Sequence, residues 1–502
     1  MTSSALPQPD ERWRAFAVCL GAGFMTLLDV SIVNVALPSI EASLGAGPSD
    51  LQWIVAGYTL AFGLVLVPAG RLGDVRGRRP VFVAGLTGFV VASAACGLAT
   101  TPEMLAVMRL VQGFAAGVLN PQVVGLIQQL FTGADRGRAF GLFGATIGVS
   151  TAVGPLLGGT LLALFGEDQG WRAVFLVNVP LGAVLIPLAL RYLPRTDRSS
   201  PAPSSERPSS AGRPAATGPP SARLDLDVVG LGLVAVSVLC VLLPFVNSAE
   251  GGRSPWWLLG VAGASVVALV ARERHVERAG RTPVIPSSLV RTPSFAFGAV
   301  VGTAYFAGFT AIFLVGTLYL QNGLGLSPLQ AGLVQTPFAL VGAVSAAASG
   351  RLVQRWGRWT VVVGIVVMSV GVLGVDLTAA RLDGTATAGW MAVWFALAGL
   401  GNGAVISPNQ ALTLADVPVA GGGTAGGLLQ TTQRIGASVG VAGIGAVFFA
   451  SLAGAEGPAR GHGPALSVSL RVTLALFALA LAVAVVDALR RRRGPHEAQP
   501  AR

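Results

Sequence analysis

The 502-residue sequence contains no lysine: all 34 of the positions counted as lysine or arginine are arginine. A phosphate loop of the usual kind needs a lysine on the nucleotide phosphates, and a pyridoxal-phosphate enzyme needs one for its Schiff base, so neither chemistry fits in its ordinary form. Cysteine and histidine are nearly as scarce, with three of each. Cys19, Cys96 and Cys240 lie in apolar runs without CxxC spacing and read as buried small hydrophobes. His275, His462 and His496 fall in polar connecting or terminal segments, which suggests neither a zinc site nor a histidine-based triad. Charge is sparse too: 11% of residues are charged, against roughly 25% in an average soluble chain, while 53% are hydrophobic. That balance argues against a soluble globular protein. No cluster of Asp, His, Ser or Cys with catalytic spacing stands on a connecting segment, so no enzyme, metal or organic cofactor is expected. The polar opening Met1 to Arg14 runs into an apolar segment too long for a secretory h-region, so no cleavable signal is expected either.

What the chain has instead is long apolar runs. A bilayer core about 30 Å thick takes roughly 20 apolar residues of helix. Fourteen such stretches lie between polar breaks, from 14–37 and 51–71 to 424–451 and 466–489, with the eighth, 255–272, the shortest. They lack the period-2 alternation of barrel strands, and only helices and closed barrels satisfy their backbone groups in lipid. The expectation is an all-α polytopic membrane protein. Starting from a cytoplasmic N-terminus, 27 of the 34 arginines fall in inside segments, 4 in outside loops and 3, Arg109, Arg434 and Arg471, within spans. This is the positive-inside pattern. It predicts a multi-pass protein of the cytoplasmic membrane with both termini cytoplasmic. It also turns the net charge of +11 into an orientation signal and removes nucleic acid as a partner. One inside loop, 416–423, has no arginine.

The stretch 194–226 is dense in Pro, Ser, Ala and Arg and cannot bury a core, so a disordered cytoplasmic linker is expected there. A repeat locates the second half. Gly70-Arg71-Leu72-Gly73-Asp74-Val75-Arg76-Gly77-Arg78-Arg79 returns as Gly350-Arg351-Leu352-Val353-Gln354-Arg355-Trp356-Gly357-Arg358-Trp359, with five of ten positions identical. Each copy follows the second helix of a six-helix set, as in two parallel halves related about the membrane normal. The expected organisation is a six-helix bundle over 1–193, the linker 194–226, two additional helices over 227–272, a second six-helix bundle over 273–489 and a basic tail over 490–502.

The first of these repeats resembles motif A of the major facilitator superfamily. Leu28-Asp29-Val30-Ser31-Ile32-Val33-Asn34-Val35-Ala36-Leu37-Pro38 is similar to the first-helix signature of its fourteen-helix drug:proton antiporters, the EmrB/QacA type. Arg109-Leu110-Val111-Gln112-Gly113 resembles motif B, and Gly154-Pro155-Leu156-Leu157-Gly158-Gly159 the antiporter motif C, with Ser150 where a glycine often stands. The resemblance covers nearly the whole chain. It implies the major facilitator fold, two six-helix bundles plus two extra helices, and a monomer that exports drugs or antibiotics by alternating access, with the proton gradient as its drive. The partners it implies are protons, the lipid bilayer and a small lipophilic or cationic drug. An importer or uniporter of a small metabolite on the same fold is the rival reading, and motif C and the first-helix signature count against it.

Within this frame Asp29 stands out, because a carboxylate in mid-span is rare and functional by default. At 1.5 Å per residue it sits roughly 22 Å above the cytoplasmic edge, and Arg109 on the fourth helix reaches about the same height. A pair is expected, either as a proton carrier whose environment changes during transport or as a static tie between helices. In motif A, Gly70, Gly73 and Gly77 suit a tight turn and close helix approach, and Asp74 suits the N-terminus of a helix in the other half. Arg78 and Arg79 fit the same gate or simple topology signalling. Gly154, Pro155, Gly158 and Gly159 suit close, kinked packing, to which the resemblance adds antiport. Asn34, Trp53, Tyr58, Asn120, Tyr305, Phe309, Trp394, Asn402 and Gln430 are candidates to line a substrate cavity. Gln430, Gln433 and Arg434 offer donors to a central cavity, though Arg434 lies close enough to the cytoplasmic end to snorkel, and Asp376 is expected to lie at the outer interface.

Overall fold

The computed structural model describes residues 9–194, 227–248, 255–279, 283–382, 385–453 and 458–493. The expected linker beyond Pro194, Arg253 and the tail beyond Arg493 lie outside the described residues. The elements among the described residues are all helical: α1 (Pro9–Leu44), α2 (Pro48–Arg76), α3 (Arg78–Gly97), α4 (Pro102–Leu130), α5 (Gly133–Phe165), α6 (Glu167–Leu176), α7 (Asn178–Tyr192), α8 (Val228–Ser248), α9 (Leu258–Arg278), α10 (Ser287–Arg291), α11 (Pro293–Leu318), α12 (Pro328–Trp356), α13 (Trp359–Arg381), α14 (Thr385–Thr413), α15 (Gly422–Ala453) and α16 (Pro458–Arg493).

Local chemistry sets the ends. Thr101 caps α4 by accepting from the Met104 amide at 3.2 Å, with Pro102 in the first turn, and Ser327 and Gln330 form a reciprocal capping box on α12. Gly77 (φ 95°) turns the chain from α2 into α3, and its repeat partner Gly357 (φ 53°) does the same after α12. Both backbones occupy the region glycine adopts without a Cβ penalty. The expected span 171–193 divides at Val177 into α6 and α7. Pro180 lacks an amide hydrogen and its ring opposes the carbonyl four residues earlier, at Leu176, where α6 ends.

Among the described residues twelve helical spans are long and apolar enough to cross a bilayer, α6 and α7 together forming one. The seventh and eighth of the fourteen expected spans fall short of that measure. α8 offers a shorter apolar run, Val229–Pro244, and the apolar stretch of α9 stops at Arg272, Glu273 and Arg274. These two helices pack together, and α8 lies against both α2 and α15, with Val234, Val238 and Leu242 meeting Leu60 and Val67. A bidentate pair closes their base, Arg272 donating from Nε and Nη2 to Asp227 at 3.2 Å each. At the end of α9, the Ser287 amide donates to Glu277 at 2.8 Å and holds that carboxyl below its usual range, while burial raises the pKa of Glu273.

The first bundle, α1 to α7, and the last, α11 to α16, each have an apolar core. They meet along two seams, α2 with α15 and α5 with α12. Glycine makes both possible. A Cβ on Gly70 would lie 2.2 Å from the Gly423 carbonyl oxygen, one on Gly427 2.4 Å from that of Leu66, one on Gly350 2.5 Å from that of Gly137, and one on Gly141 2.8 Å from that of Ala346. These approaches run from the arginine-rich end of the molecule to its middle. The arginine-free loop 416–423 lies at that end and is served by arginines from elsewhere: Arg78 donates to the Val419 carbonyl, Arg136 to that of Ala415, and Arg491 lies 3.7 Å from Asp416. Charge missing from the loop itself is thus supplied by its neighbours.

Candidate functional site

Asp29 is wholly buried in α1 and accepts from three donors on two other helices. Arg109 Nη1 on α4 lies 2.6 Å from Oδ2, while Gln112 Nε2 at 2.8 Å and Asn178 Nδ2 at 2.9 Å both donate to Oδ1. The equal depths counted along the sequence therefore bring Asp29 and Arg109 into contact. Arg109 also donates to Gln112 Oε1 at 2.8 Å and, through Nε, to the Ile54 carbonyl at 3.1 Å, and its guanidinium lies 4.2 Å over the Tyr58 ring. Ser93 extends the network: it accepts from Asn178 at 3.0 Å and donates to the Phe175 carbonyl at 2.9 Å. Gly113 is what lets α4 close on α2, since a Cβ there would meet the Tyr58 carbonyl oxygen at 2.2 Å.

Sequence reasoning did not assign Gln112, Ser93 or Asn178 a role at Asp29. Gln112 follows Arg109 by three residues, on the same face of α4, and Asn178 is the amide that begins α7; these were the available signals. A carboxylate this buried survives only with its hydrogen-bonding capacity filled, and every partner here is a donor. Asn178 Oδ1 is buried without a partner. It is an acceptor within reach of a flip of its own amide, next to the one carboxylate of the cluster.

Motif A assembles at the arginine-rich end. Asp74 on α2 accepts from the Gly423 amide at 3.0 Å, and from the Thr424 amide and hydroxyl at 2.7 and 2.9 Å, at the N-terminus of α15 in the other bundle. Carboxylates suit that position because the first amides of a helix lack internal partners and carry partial positive charge. Arg78 lies 3.0 Å from Asp74 and donates to the Gly125 and Val419 carbonyls. Gly73 makes room for Gln122, and Arg79 turns away to donate to the Leu190 carbonyl. In the second copy Gln354 donates from Nε2 to the Ala134 carbonyl in the first turn of α5 at 2.9 Å. The contacts between bundles are thus asymmetric, charge-assisted on the α2–α15 seam and neutral on the α5–α12 seam.

Motif C ties α5 to the helix carrying Asp29. A Cβ on Gly154 would lie 2.4 Å from Ser31 Oγ, and one on Gly158 3.0 Å from the Ile32 side chain, whereas Gly159 faces open space. Pro155 has no amide hydrogen, so it cannot donate to the Thr151 carbonyl four residues earlier. Ser31 Oγ donates to that carbonyl at 3.0 Å. Gly154→Val is expected to cost about 1–3 kcal/mol by overpacking, read as a lower unfolding midpoint of the purified protein. Gly159→Val should leave the midpoint unchanged, and equal losses at both positions would refute this division of the motif.

The nine cavity candidates do not gather in one place. Tyr305, Phe309 and Asn402 come together: the Tyr305 hydroxyl donates to Asn402 Oδ1 at 2.8 Å, and its ring stacks on Phe309 and Phe477 at 5.8 and 5.2 Å. Tyr58 belongs to the Arg109 cluster instead. Trp394 fills the space left by Gly374 on α13 and acts as a packing residue between α13 and α14. Asn120 donates within its own helix to the Ala116 carbonyl, while Asn34 and Trp53 are exposed and Gln430 is half-buried. Asp376, five residues before the end of α13, is buried and accepts from Ser467 on α16. Arg358, counted as an orientation charge, is buried against Asp487 of α16 and donates to Asn409 at 2.7 Å. Arg434 does not snorkel; its guanidinium lies 4.8 Å over the Phe62 ring of α2.

Comparisons with known proteins agree with this architecture. The chain is 39% identical over 456 residues, 90% of its length and 75% of the relative's, to a protein of Streptomyces coelicolor described as "Probable actinorhodin transporter". It is 32% identical over 440 residues, 87% of its length and 76% of the relative's, to the tetracenomycin C resistance and export protein of Streptomyces glaucescens. It is 32% identical over 438 residues, 85% of its length and 84% of the relative's, to the methylenomycin A resistance protein of Streptomyces coelicolor. Among solved structures, the proton:xylose symporter XylE superposes with a TM-score of 0.63 at 13% identity, over 97% of this chain and 96% of that one. The human organic anion transporter MFSD10 superposes with 0.62 at 16%, over 94% and 100%; likeness at these identities concerns the fold alone. The family model of the Major Facilitator Superfamily matches residues 19–441, and the chain, a multi-pass transporter of two six-helix bundles, belongs to that superfamily.

Proposed function

We propose that the protein is a proton-coupled exporter of antibiotics or similar small molecules, of the fourteen-helix drug:proton antiporter type, working by alternating access in the cytoplasmic membrane. Both termini and the arginine-rich end face the cytoplasm in this reading, and α8 and α9 are the two additional helices between the bundles. Relatives named for export of, or resistance to, actinorhodin, tetracenomycin C and methylenomycin A support the cargo class. The observation that carries the proton coupling is the buried Asp29 with its three donors. In this reading the contacts joining the bundles at the arginine-rich end, Asp74 to Gly423 and Thr424, close the cytoplasmic side.

Protonation of Asp29 cancels its attraction for Arg109 and places an O–H where only acceptors are now useful. Rotation of the Asn178 amide supplies one, its unpartnered Oδ1. α1 is then freer against α4, and Ser31, two residues on, passes the change to α5 at Thr151 and Gly154. α5 in turn packs on α12 through Gly137, Gly141 and Gly148, so the seam between bundles responds to the charge on Asp29. The drive suffices: at about 2.3 kcal/mol per charge per 100 mV, a potential near 150 mV supplies roughly 3.5 kcal/mol, a few-hundredfold gradient for one net charge. In everted vesicles, addition of an exported antibiotic is expected to dissipate an imposed pH gradient. A panel of antibiotics and dyes that all leave the gradient intact, with cargo accumulating independently of pH, would overturn the proton-coupled reading.

A further inference from the structure

Arg434 lies on α15 twelve residues beyond Gly422, about 18 Å along the helix and thus near mid-bilayer. It sits partly exposed on the face of α15 that meets α2, above Gly423 and Gly427. Phe62, the ring it contacts, stacks on Tyr58 at 6.4 Å, and Arg109 lies 4.2 Å over Tyr58. Two guanidiniums therefore contact one aromatic pair, and their electrostatic situations differ. Arg109 has Asp29 as counter-charge, whereas none of the ion pairs among the described residues engages Arg434. The other buried carboxylates of the spans are committed elsewhere, Asp376 to Ser467 and Asp487 to Arg358.

An uncompensated cation at this depth is costly, and a cation–π contact returns only part of that cost. Its place between α15 and α2, helices of the two bundles, with part of its surface exposed, gives it access to cargo. A neighbourhood with net positive charge disfavours a cationic ligand and draws an anionic one. We infer that Arg434 is the anion receptor of the cargo cavity, and that the exported molecules carry an acidic group, a carboxylate or an ionised phenol or enol, which pairs with its guanidinium. This rests on the exporter reading and narrows it, replacing the lipophilic or cationic drug expected from the sequence with an organic anion. Exchange of such an anion for one entering proton moves two charges in the direction the membrane potential favours.

The test uses the purified full chain and two probes of one shape, naphthalene-2-carboxylate and naphthalene-2-carboxamide, with binding read from tryptophan fluorescence. The wild type is expected to bind the carboxylate at least tenfold more tightly. Arg434→Gln should abolish that preference while leaving carboxamide binding unchanged, and Arg434→Lys should keep part of it. A wild type that binds neither probe, or both equally, overturns the receptor, as does an Arg434→Gln chain that keeps the preference or loses both probes together. The two readings fail separately. Carboxylate preference without proton release in everted vesicles leaves the receptor and removes the antiporter, and proton release by neutral drugs alone does the reverse.

Discussion

Asp29→Asn is expected to abolish proton-coupled export while leaving passive counterflow of cargo measurable in proteoliposomes. The side chain keeps its shape and loses both its titration and its fit. All three groups that face Asp29 are donors, Arg109 Nη1, Gln112 Nε2 and Asn178 Nδ2, so an amide nitrogen at that position meets another N–H until the Asn178 amide rotates to offer its Oδ1. Arg109, 2% exposed, is left without its counter-charge. Breaking a buried pair from one side costs about 3–5 kcal/mol, most of it the stranded charge. The double variant Asp29→Asn/Arg109→Gln removes that charge and is expected to recover most of the lost stability without recovering coupled export. This separates the two roles left open by the sequence. If the double variant regains pH-driven export, the pair is a static tie between α1 and α4 and the proton path lies elsewhere.

The second large effect is expected at Asp74. Asp74→Ala removes three hydrogen bonds from Gly423 and Thr424 together with the Arg78 pair. Charge-assisted bonds at a helix N-terminus make the net loss on the order of 1–3 kcal/mol, which shifts a two-state equilibrium by roughly 5- to 150-fold toward the state open at the arginine-rich end. Spin labels at Val75 and Val419, both exposed near the seam, should report a longer mean distance in Asp74→Ala. Gly70→Val should produce the same lengthening by a different route, because its side chain has nowhere to go but into the Gly423 backbone. Gln354→Ala, which removes one neutral bond on the pseudo-equivalent seam, should change the distance far less. Equal lengthening in Gln354→Ala and Asp74→Ala would refute the asymmetry.

Much of the candidate site was legible because membrane residence simplifies the reading. A bilayer imposes a length and a polarity on each span, so any charge within one is conspicuous. Depth along a helix is simply a residue count, which is how Asp29 and Arg109 could be matched. Motif A was legible for a related reason: Gly70 and Gly77 recur in a repeat as Gly350 and Gly357, and an acid four residues from Gly70 fits a helix N-terminus. Depth says nothing about azimuth, however. Trp394 and Tyr305 are both aromatic residues in spans, yet one fills the notch at Gly374 and the other stacks on Phe309 and Phe477. Arg434 could be placed at a height on α15 but not turned toward Phe62. The same gap hid Asn178, which becomes a ligand of Asp29 only because the break before Pro180 sets the start of α7 beside α1.

The sequence by itself determined that this chain is a helical membrane protein of two related bundles, with its arginines gathered at one end and one acid and one arginine at a common depth. Those are one-dimensional properties, set by how many apolar residues cross a bilayer and where charge interrupts them. Tertiary structure decided which side chains complete Asp29, which seam carries the charged contact, and that Arg434 has an aromatic ring but, among the described residues, no acid for company. Helices that are apolar on nearly every face carry no pattern that says which face turns inward. Rotation and approach are set by small residues meeting backbone, as Gly70 meets Gly423 and Gly154 meets Ser31, and such pairs exist only after the bundles have assembled.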